Sequence, residues 1–424
     1  MSDRLPAELL NPFDQSFRNE PYSYYPQLLD RPPVRLNRAL PCVVAARYLD
    51  VTEILRDYKT FSSVVPDQLI LANFDPFAGI RPMLHSDPPE HTRLRRAIGS
   101  YYDVKRSPHV RLIHAISATV ERLLQKIERV SEFDAVRDLA TPLQSEVVAQ
   151  LLGIPSEDEL PLRSWSDEIF AATRSYIEMV SALVSDARLG ANGHDPFEAL
   201  KPPQNAPLCD AITALRAYFS QAIARKQERS TDGLISAMVS QARDSSEENL
   251  EEMVSTCVLT LFASETAANL VSNGLLAFAQ HENEYARLRS NPQLVTSAVE
   301  ESLRYDSPVQ AVLRYCRREA NVGGTVIPAG AITLALVGAA NHDPVHFTEP
   351  ERFDIGRHPN DHVAFGDGIH SCLGVNIARS LGVIVVAAIA QRFKTFRLAQ
   401  PGRQPQYESA LLSRGLTSLR IAAE

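Results

Sequence analysis

The chain is predicted to fold as a mainly α-helical protein with a minor β portion, an α+β arrangement. Three observations carry this. Helical periodicity dominates from about residue 90 to Leu288, while β-rich pieces are confined to about 36–64, 311–335 and 405–424. The ten residues FGDGIHSCLG, Phe365 to Gly374, place a cysteine in a glycine-rich loop directly before an apolar, alanine-rich helix over Val375–Phe393.

Taken in order, CVVAARY reads as a strand and DVTEILRDY as a helix with one apolar face. Residues 65–89 are punctuated by Pro and Gly and read as a long loop. The Pro88-Pro89 pair opens a helix. The Gly-, Pro- and Asn-rich stretch at 186–207 reads as a second surface loop. A helix over about Ser246–Gln280, with Ser245 and Glu248 at capping-box spacing, predicts a rod of roughly 50 Å. Its apolar middle carries Ser264-Glu265-Thr266, where an ionisable group must be paired, hydrated or functional. Gly323-Gly324 and Pro328-Ala329-Gly330 are turn signals within the second β-rich interval. With no composition break marking a linker, one domain over 1–424 is expected rather than two.

With 45% hydrophobic residues, the 424-residue chain can bury a large core. A net charge of −8 argues against a general nucleic-acid binder. Five scattered cysteines with no CxxC pair suit a reducing cytoplasm and argue against a disulfide framework or a zinc site. No signal peptide is visible, and no apolar run is read as long enough to span a bilayer, so a cytoplasmic protein without a membrane anchor is expected.

A cysteine at a helix N-terminus faces unpaired N–H groups and the positive end of the helix dipole, both of which favour the thiolate. Phe365, Gly368, Cys372 and Gly374 match Phe-x-x-Gly-x-x-x-Cys-x-Gly, and this segment resembles the haem-binding loop of the cytochrome P450 family. A lone cysteine is often just a small buried hydrophobe, but four matched positions with His370 added favour the ligand. The resemblance implies the P450 fold, with haem b (iron protoporphyrin IX) between the long helix and the cysteine loop and Cys372 as its axial thiolate and metal ligand. It also places Phe365, Gly366, Gly374 and Ala263 against the haem.

Three further segments occur in the family's order. Ser264-Glu265-Thr266 resembles the acid–alcohol motif of oxygen activation, which makes Glu265 and Thr266 the catalytic pair. Monooxygenation consumes protons, and such a pair can relay them from water. Phe262 departs from the pattern by occupying a position usually held by Ala or Gly, with Ala263 at the following Gly position. Glu301 and Arg304, read alone, are a surface ion pair; the resemblance makes them a structural pair joined by Arg352 of Pro350-Glu351-Arg352-Phe353. His91 and Arg95, four apart, are similar to the family's propionate-binding pair, and Arg314 and His370 join them. Two buried carboxylates require such charge-assisted donors.

The implied function is a haem-thiolate monooxygenase similar to soluble bacterial members of secondary metabolism. It would insert one atom of O₂ into a small or medium-sized, mainly apolar organic substrate. Electrons would come from NAD(P)H through a separate reductase and a ferredoxin or flavodoxin, and a monomer is expected. Arg93, Arg95, Arg96, Lys105, Arg106 and Arg111, against Asp103 alone, form a basic stretch that would suit an acidic carrier or simply a solvated helix face. Phe262, Val309 and Val312 are candidate pocket residues, and Leu69, Ile70, Leu71, Phe74, Phe77 and Ile80 lie in the first lid-like loop. Peroxide-driven oxidation, ring coupling, desaturation and non-enzymatic haem-thiolate sensing are the alternatives on this fold.

Overall fold

The computed structural model describes residues 14–35, 42–64, 82–102, 107–155, 158, 161–172, 206–228, 233–242, 247–408, 410 and 412–424. Helices dominate these residues. A five-stranded sheet runs in the order Val34–Arg35, Cys42–Ala45, Ile332–Ala335, Val312–Cys316, Phe61–Ser62. Its one parallel pairing sets Cys42 beside Ile332 and Ala45 beside Ala335, and the other pairings are antiparallel. Alternation along the strands serves two cores. Val43, Ala45 and Ala335 pack with Val51, Ile54 and Leu55 of the Tyr48–Arg56 helix. Val44 and Leu334 instead meet Phe17, Tyr25 and Leu28.

The Ala320–Val322 and Thr325–Ile327 hairpin turns on Gly323-Gly324, whose φ values of 55° and 92° are the left-handed conformations that a two-residue hairpin turn requires. The sequence reading missed the short strands Val34–Arg35, Glu132–Asp134 and Phe396–Leu398. The last two pair on either side of Arg420–Ala423. A three-residue strand has too little alternation to be read without its partner.

The rod predicted over Ser246–Gln280 is not uninterrupted. It forms as Glu247–Ala263 and Glu265–Gln280, with Ser264 as a turn between them. Ser245 and the side chain of Glu248 lie outside the described residues. Within Asn249–Gln280, and again within Val375–Arg392, a window of mean hydropathy 1.3 is long and apolar enough to cross a bilayer. This corrects the reading that no such stretch exists. Both stretches contribute to the helical core: Glu265–Gln280 packs on Thr141–Leu152, Val295–Tyr305 and Val375–Arg392.

Behind the cysteine loop lies a fully buried carboxylate. Glu301 accepts from Arg304 at 2.8 and 2.9 Å, from Arg357 Nε at 3.1 Å, from the Asp354 N–H at 3.0 Å and from Asn360 Nδ2 at 3.2 Å. Glu301 and Arg304 are 0% exposed and the Arg357 side chain 10%. This corrects the expectation for Arg352. Its guanidinium is 58% exposed and pairs with Glu349, and only its backbone carbonyl joins the node, accepting from Arg304 and Arg357. Breaking a buried, hydrogen-bonded ion pair costs about 3–5 kcal/mol, whereas an exposed pair is worth about 1 kcal/mol or less. Arg357→Ala is therefore expected to lower chemical-denaturation stability by about 3–5 kcal/mol, with Arg352→Ala within about 1 kcal/mol of wild type. Equal losses in the two variants would contradict this assignment.

Candidate active site

The cysteine loop is tied at both ends. The Asn341 Oδ1 accepts from the Val363 N–H at 2.8 Å, and the Phe365 carbonyl accepts from the Cys372 N–H at 2.8 Å. Between them, Gly366 and Gly368 have φ of 70° and 69°. A Cβ on Gly368 would lie 2.7 Å from the Leu55 carbonyl oxygen, so the loop can rest on the Tyr48–Arg56 helix only with glycine there. Asp367 fixes the same contact from the other side, accepting from Gly368 N–H at 2.6 Å and from Arg56 Nε at 2.9 Å.

Cys372 precedes the Val375–Arg392 helix, whose N-cap, Gly374, offers no side-chain acceptor. The Cys372 side chain is accessible, yet burial raises its pKa. The Gly374 N–H and the charges of Arg95 and Arg379 act in the opposite direction, toward the thiolate.

Next to this thiol, the structure brings together His91, Arg95, Arg314 and His370. The His91 and His370 rings are 4.2 Å apart. Both nitrogens of His91 and Nε2 of His370 are buried with no hydrogen-bond partner among the described residues. Arg314 is 5% exposed and donates to the carbonyl of adjacent Leu313 at 2.9 Å. Burial lowers its pKa to about 10. Burial, followed by Arg314, His91, Arg95 and His85, lowers that of His370 to about 3. The neighbouring carboxylate, Asp87, is 4.0 Å from His370 and already holds Ser62, the Ser63 N–H and Arg317. Arg95 reaches Ser371, donating to its carbonyl at 2.8 Å. Mutually repelling donors with unmet hydrogen bonds fit a ligand carrying two carboxylates, and a thiol at a helix start fits a soft metal in the same ligand.

On the opposing helix, the break falls beside the acid–alcohol pair. Ser264 donates to the Leu261 carbonyl at 2.6 Å and accepts from Gln144 Nε2 at 3.0 Å, while the Ala267 N–H turns to the Ser264 carbonyl at 3.0 Å. Thr266 Oγ1 donates to the Ala263 carbonyl at 2.7 Å. Glu265 is half-buried at the start of the second segment, and Ala263 is exposed although it follows a mostly buried turn and precedes a half-buried one. The Phe262 ring is half-buried and lies 5.3 Å from that of Phe170. Val309 forms a backbone bridge to Ser413, and Val312 packs partly on the core around Val43. The loop residues 65–81 and 186–205, including the six apolar residues of the first, lie outside the described residues.

The basic stretch is less positive than its sequence. Arg93 pairs with Glu90 and with Glu252 of the split helix, and Arg95 turns inward to Ser371. Arg96 and Arg111 are exposed, while Asp103, Lys105 and Arg106 lie outside the described residues. Counting along the chain omitted Glu252, which only the packing of two helices brings into place. Sequence reading also missed Arg357, Asp87, and the Glu300–His362–Arg379 cluster beneath Phe365. Of these, Arg379 alone carried a sequence signal, one helical turn after Gly374.

The family model for cytochrome P450 matches residues 37–417. The putative cytochrome P450 YjiB of Bacillus subtilis (strain 168) is 30% identical over 392 residues, covering 92% of this chain and 91% of its own. The vitamin D(3) 25-hydroxylase of Pseudonocardia autotrophica is 32% identical over 419 residues, covering 96% and 95%. Among solved structures, P450BioI in complex with hexadec-9Z-enoic acid ligated acyl carrier protein superposes with a TM-score of 0.81 at 29% identity, covering 96% of this chain and 99% of that one.

If the four donors exist to hold carboxylates, replacing a buried cation by an apolar side chain of similar length should separate binding from folding. Arg314→Met is expected to leave the haem-free protein melting at or above the wild-type temperature while haem is lost more readily to an acceptor protein. A matched loss of thermal stability and unaltered haem retention would show that Arg314 serves the fold.

Proposed function

This chain belongs to the cytochrome P450 family and is an oxidoreductase of the monooxygenase class; from that premise we propose that it inserts one atom of O₂ into a small or medium-sized, mainly apolar organic substrate. The electron source proposed is NAD(P)H, acting through a separate reductase and a ferredoxin or flavodoxin. The family implies a haem-thiolate cofactor, and haem b is the form proposed. The protein is proposed to act as a single-domain monomer in the cytoplasm.

The observation that carries O₂ chemistry is the helix break at Ser264, which sets Glu265 and Thr266 beside exposed Ala263. When bound, the haem supplies oxygen activation and one-electron transfer. Cys372 would hold its iron, and His91, Arg95, Arg314 and His370 would hold its propionates. Phe365, Gly366, Ala263 and Gly374 would border its faces, leaving room for a flat group. Thr266 Oγ1 donates its hydrogen bond to the Ala263 carbonyl, so its lone pairs would accept a hydrogen bond from a proton-bearing water and hold that water in place. Half-buried Glu265 would renew that proton from solvent. Phe262, Val309 and Val312 would meet the substrate, with Phe262 narrowing the space above the reacting centre. An apolar substrate is supported by those three side chains. The names of its relatives span a vitamin, a polyketide and an acyl chain on a carrier protein, a breadth consistent with apolar guests of different shape.

Two measurements test this. The reduced carbon-monoxide complex should show the strongly red-shifted Soret band of thiolate ligation, and Cys372→Ala should abolish it; an unchanged spectrum in the variant would remove Cys372 from the iron. Thr266→Ala or Glu265→Gln should leave substrate-induced spectral shifts in place while product formed per NAD(P)H falls by about tenfold or more, because general acid catalysis contributes roughly 10²–10⁴-fold. Unaltered rate and coupling in both variants would place the pair outside proton delivery.

A further inference from the structure

Three side chains beneath the cysteine loop are used by none of the steps above. His362, its side chain 2% exposed, receives the Ala364 N–H on Nδ1 at 3.3 Å. Its own proton is therefore on Nε2, which donates to Glu300 Oε2 at 3.0 Å. Glu300 also takes Arg379 in a two-pronged pair, Nε to Oε1 at 2.7 Å and Nη2 to Oε2 at 2.8 Å. So held, the Arg379 guanidinium lies over the Phe365 ring, 5.1 Å from its centre. Phe365 is the residue whose carbonyl accepts the Cys372 N–H. Phe365 is thus held from two directions, by a fixed cation over its ring and by the Cys372 N–H on its carbonyl.

The charges of this cluster are steady. Burial pushes the Glu300 carboxyl up, but hydrogen bonds from His362 and Arg379 and the charge of Arg379 hold it at about 2. Arg379, hydrogen-bonded to Glu300, has its pKa raised further, and the Cys372 charge contributes in the same direction. Glu300 and Arg379 consequently form a permanent dipole whose cation acts on the thiolate. Surface arginine pairs are usually mobile and worth little; three donors on one carboxylate and an aromatic face under the guanidinium make this one rigid.

We propose that Arg379 is a positioning residue which sets the electron-donor strength of the Cys372 thiolate, with Glu300 fixing its guanidinium over Phe365. The proposal rests on Cys372 being the iron's axial ligand. A cation beside the thiolate withdraws electron density from the iron and favours the reduced state, while the carboxylate partner opposes it. Arg379 is 45% exposed, so water screens the effect.

The test is a redox titration of the haem-loaded protein, followed by absorbance, alongside the carbon-monoxide spectrum of each variant. Arg379→Gln should lower the midpoint potential, changing the reduction equilibrium on the order of fivefold for a half-screened charge. Glu300→Gln should raise it, Arg379→Lys should stay near wild type, and the double variant Glu300→Gln/Arg379→Gln should return toward it. All are expected to keep the red-shifted band. Shifts of the same sign in the two single variants, or unchanged potentials in both, overturn the proposal in favour of a packing role. If Arg379→Gln loses the band, the Glu300→Gln and Arg379→Lys pair decides: a raised potential in the first with the second unchanged supports the proposal, and any other pattern overturns it. A wild-type protein without the band would instead refute the ligand assignment and the proposal with it.

Discussion

The buried carboxylate of Glu301 is the interaction on which the site's geometry depends. A carboxylate with no exposure is tolerable only when its lone pairs are filled, and here Arg304, Arg357, Asn360 and the Asp354 backbone fill them. Those partners come from a helix and from an irregular segment with little regular structure of its own. By binding them together, Glu301 fixes the segment that leads into Val363, which Asn341 then pins two residues before Phe365. The position of Cys372 is thus inherited from an ion pair that touches no substrate.

Two kinds of electrostatic order meet at the loop. On one side His91, Arg95, Arg314 and His370 converge with depressed pKa values, and the two histidines have unmet hydrogen bonds, a donor set whose chemistry suits carboxylates. On the other, Glu300 and Arg379 are already satisfied by each other and leave a cation over Phe365. The first arrangement is costly until an anion binds, whereas the second is stable by itself. That contrast separates a cluster that needs a bound anion from a pair that needs none.

The split helix shows a related trade. A continuous hydrogen-bonded rod would be the more stable form of this apolar stretch. Ser264 instead directs its hydroxyl to the Leu261 carbonyl and takes Gln144, and the Thr266 hydroxyl takes the Ala263 carbonyl. Side-chain hydroxyls that compete for backbone groups loosen a helix locally, and they do so where the small residue Ala263 is exposed.

The helical fold class, the cysteine loop and the residues proposed for the site, Glu265, Thr266, His91, Arg95, Arg314 and His370, were all legible in the sequence. They depend on local chemistry: glycines for tight turns, a thiol at a helix start, residues four apart on one face. What sequence left open was decided by contacts between distant segments. Arg352 and Arg357 lie five residues apart in one loop with the same charge, and only the path of that loop turns Arg357 to Glu301 and leaves Arg352 on the surface. Glu252 neutralises Arg93 from 159 residues away. Likewise Glu300 reads as an ordinary surface acid until packing brings it to Arg379 and His362. The sequence by itself determined the fold class and which chemical groups are offered to the site; the tertiary structure decided which charges face one another, because charge pairing depends on distance in space and not along the chain.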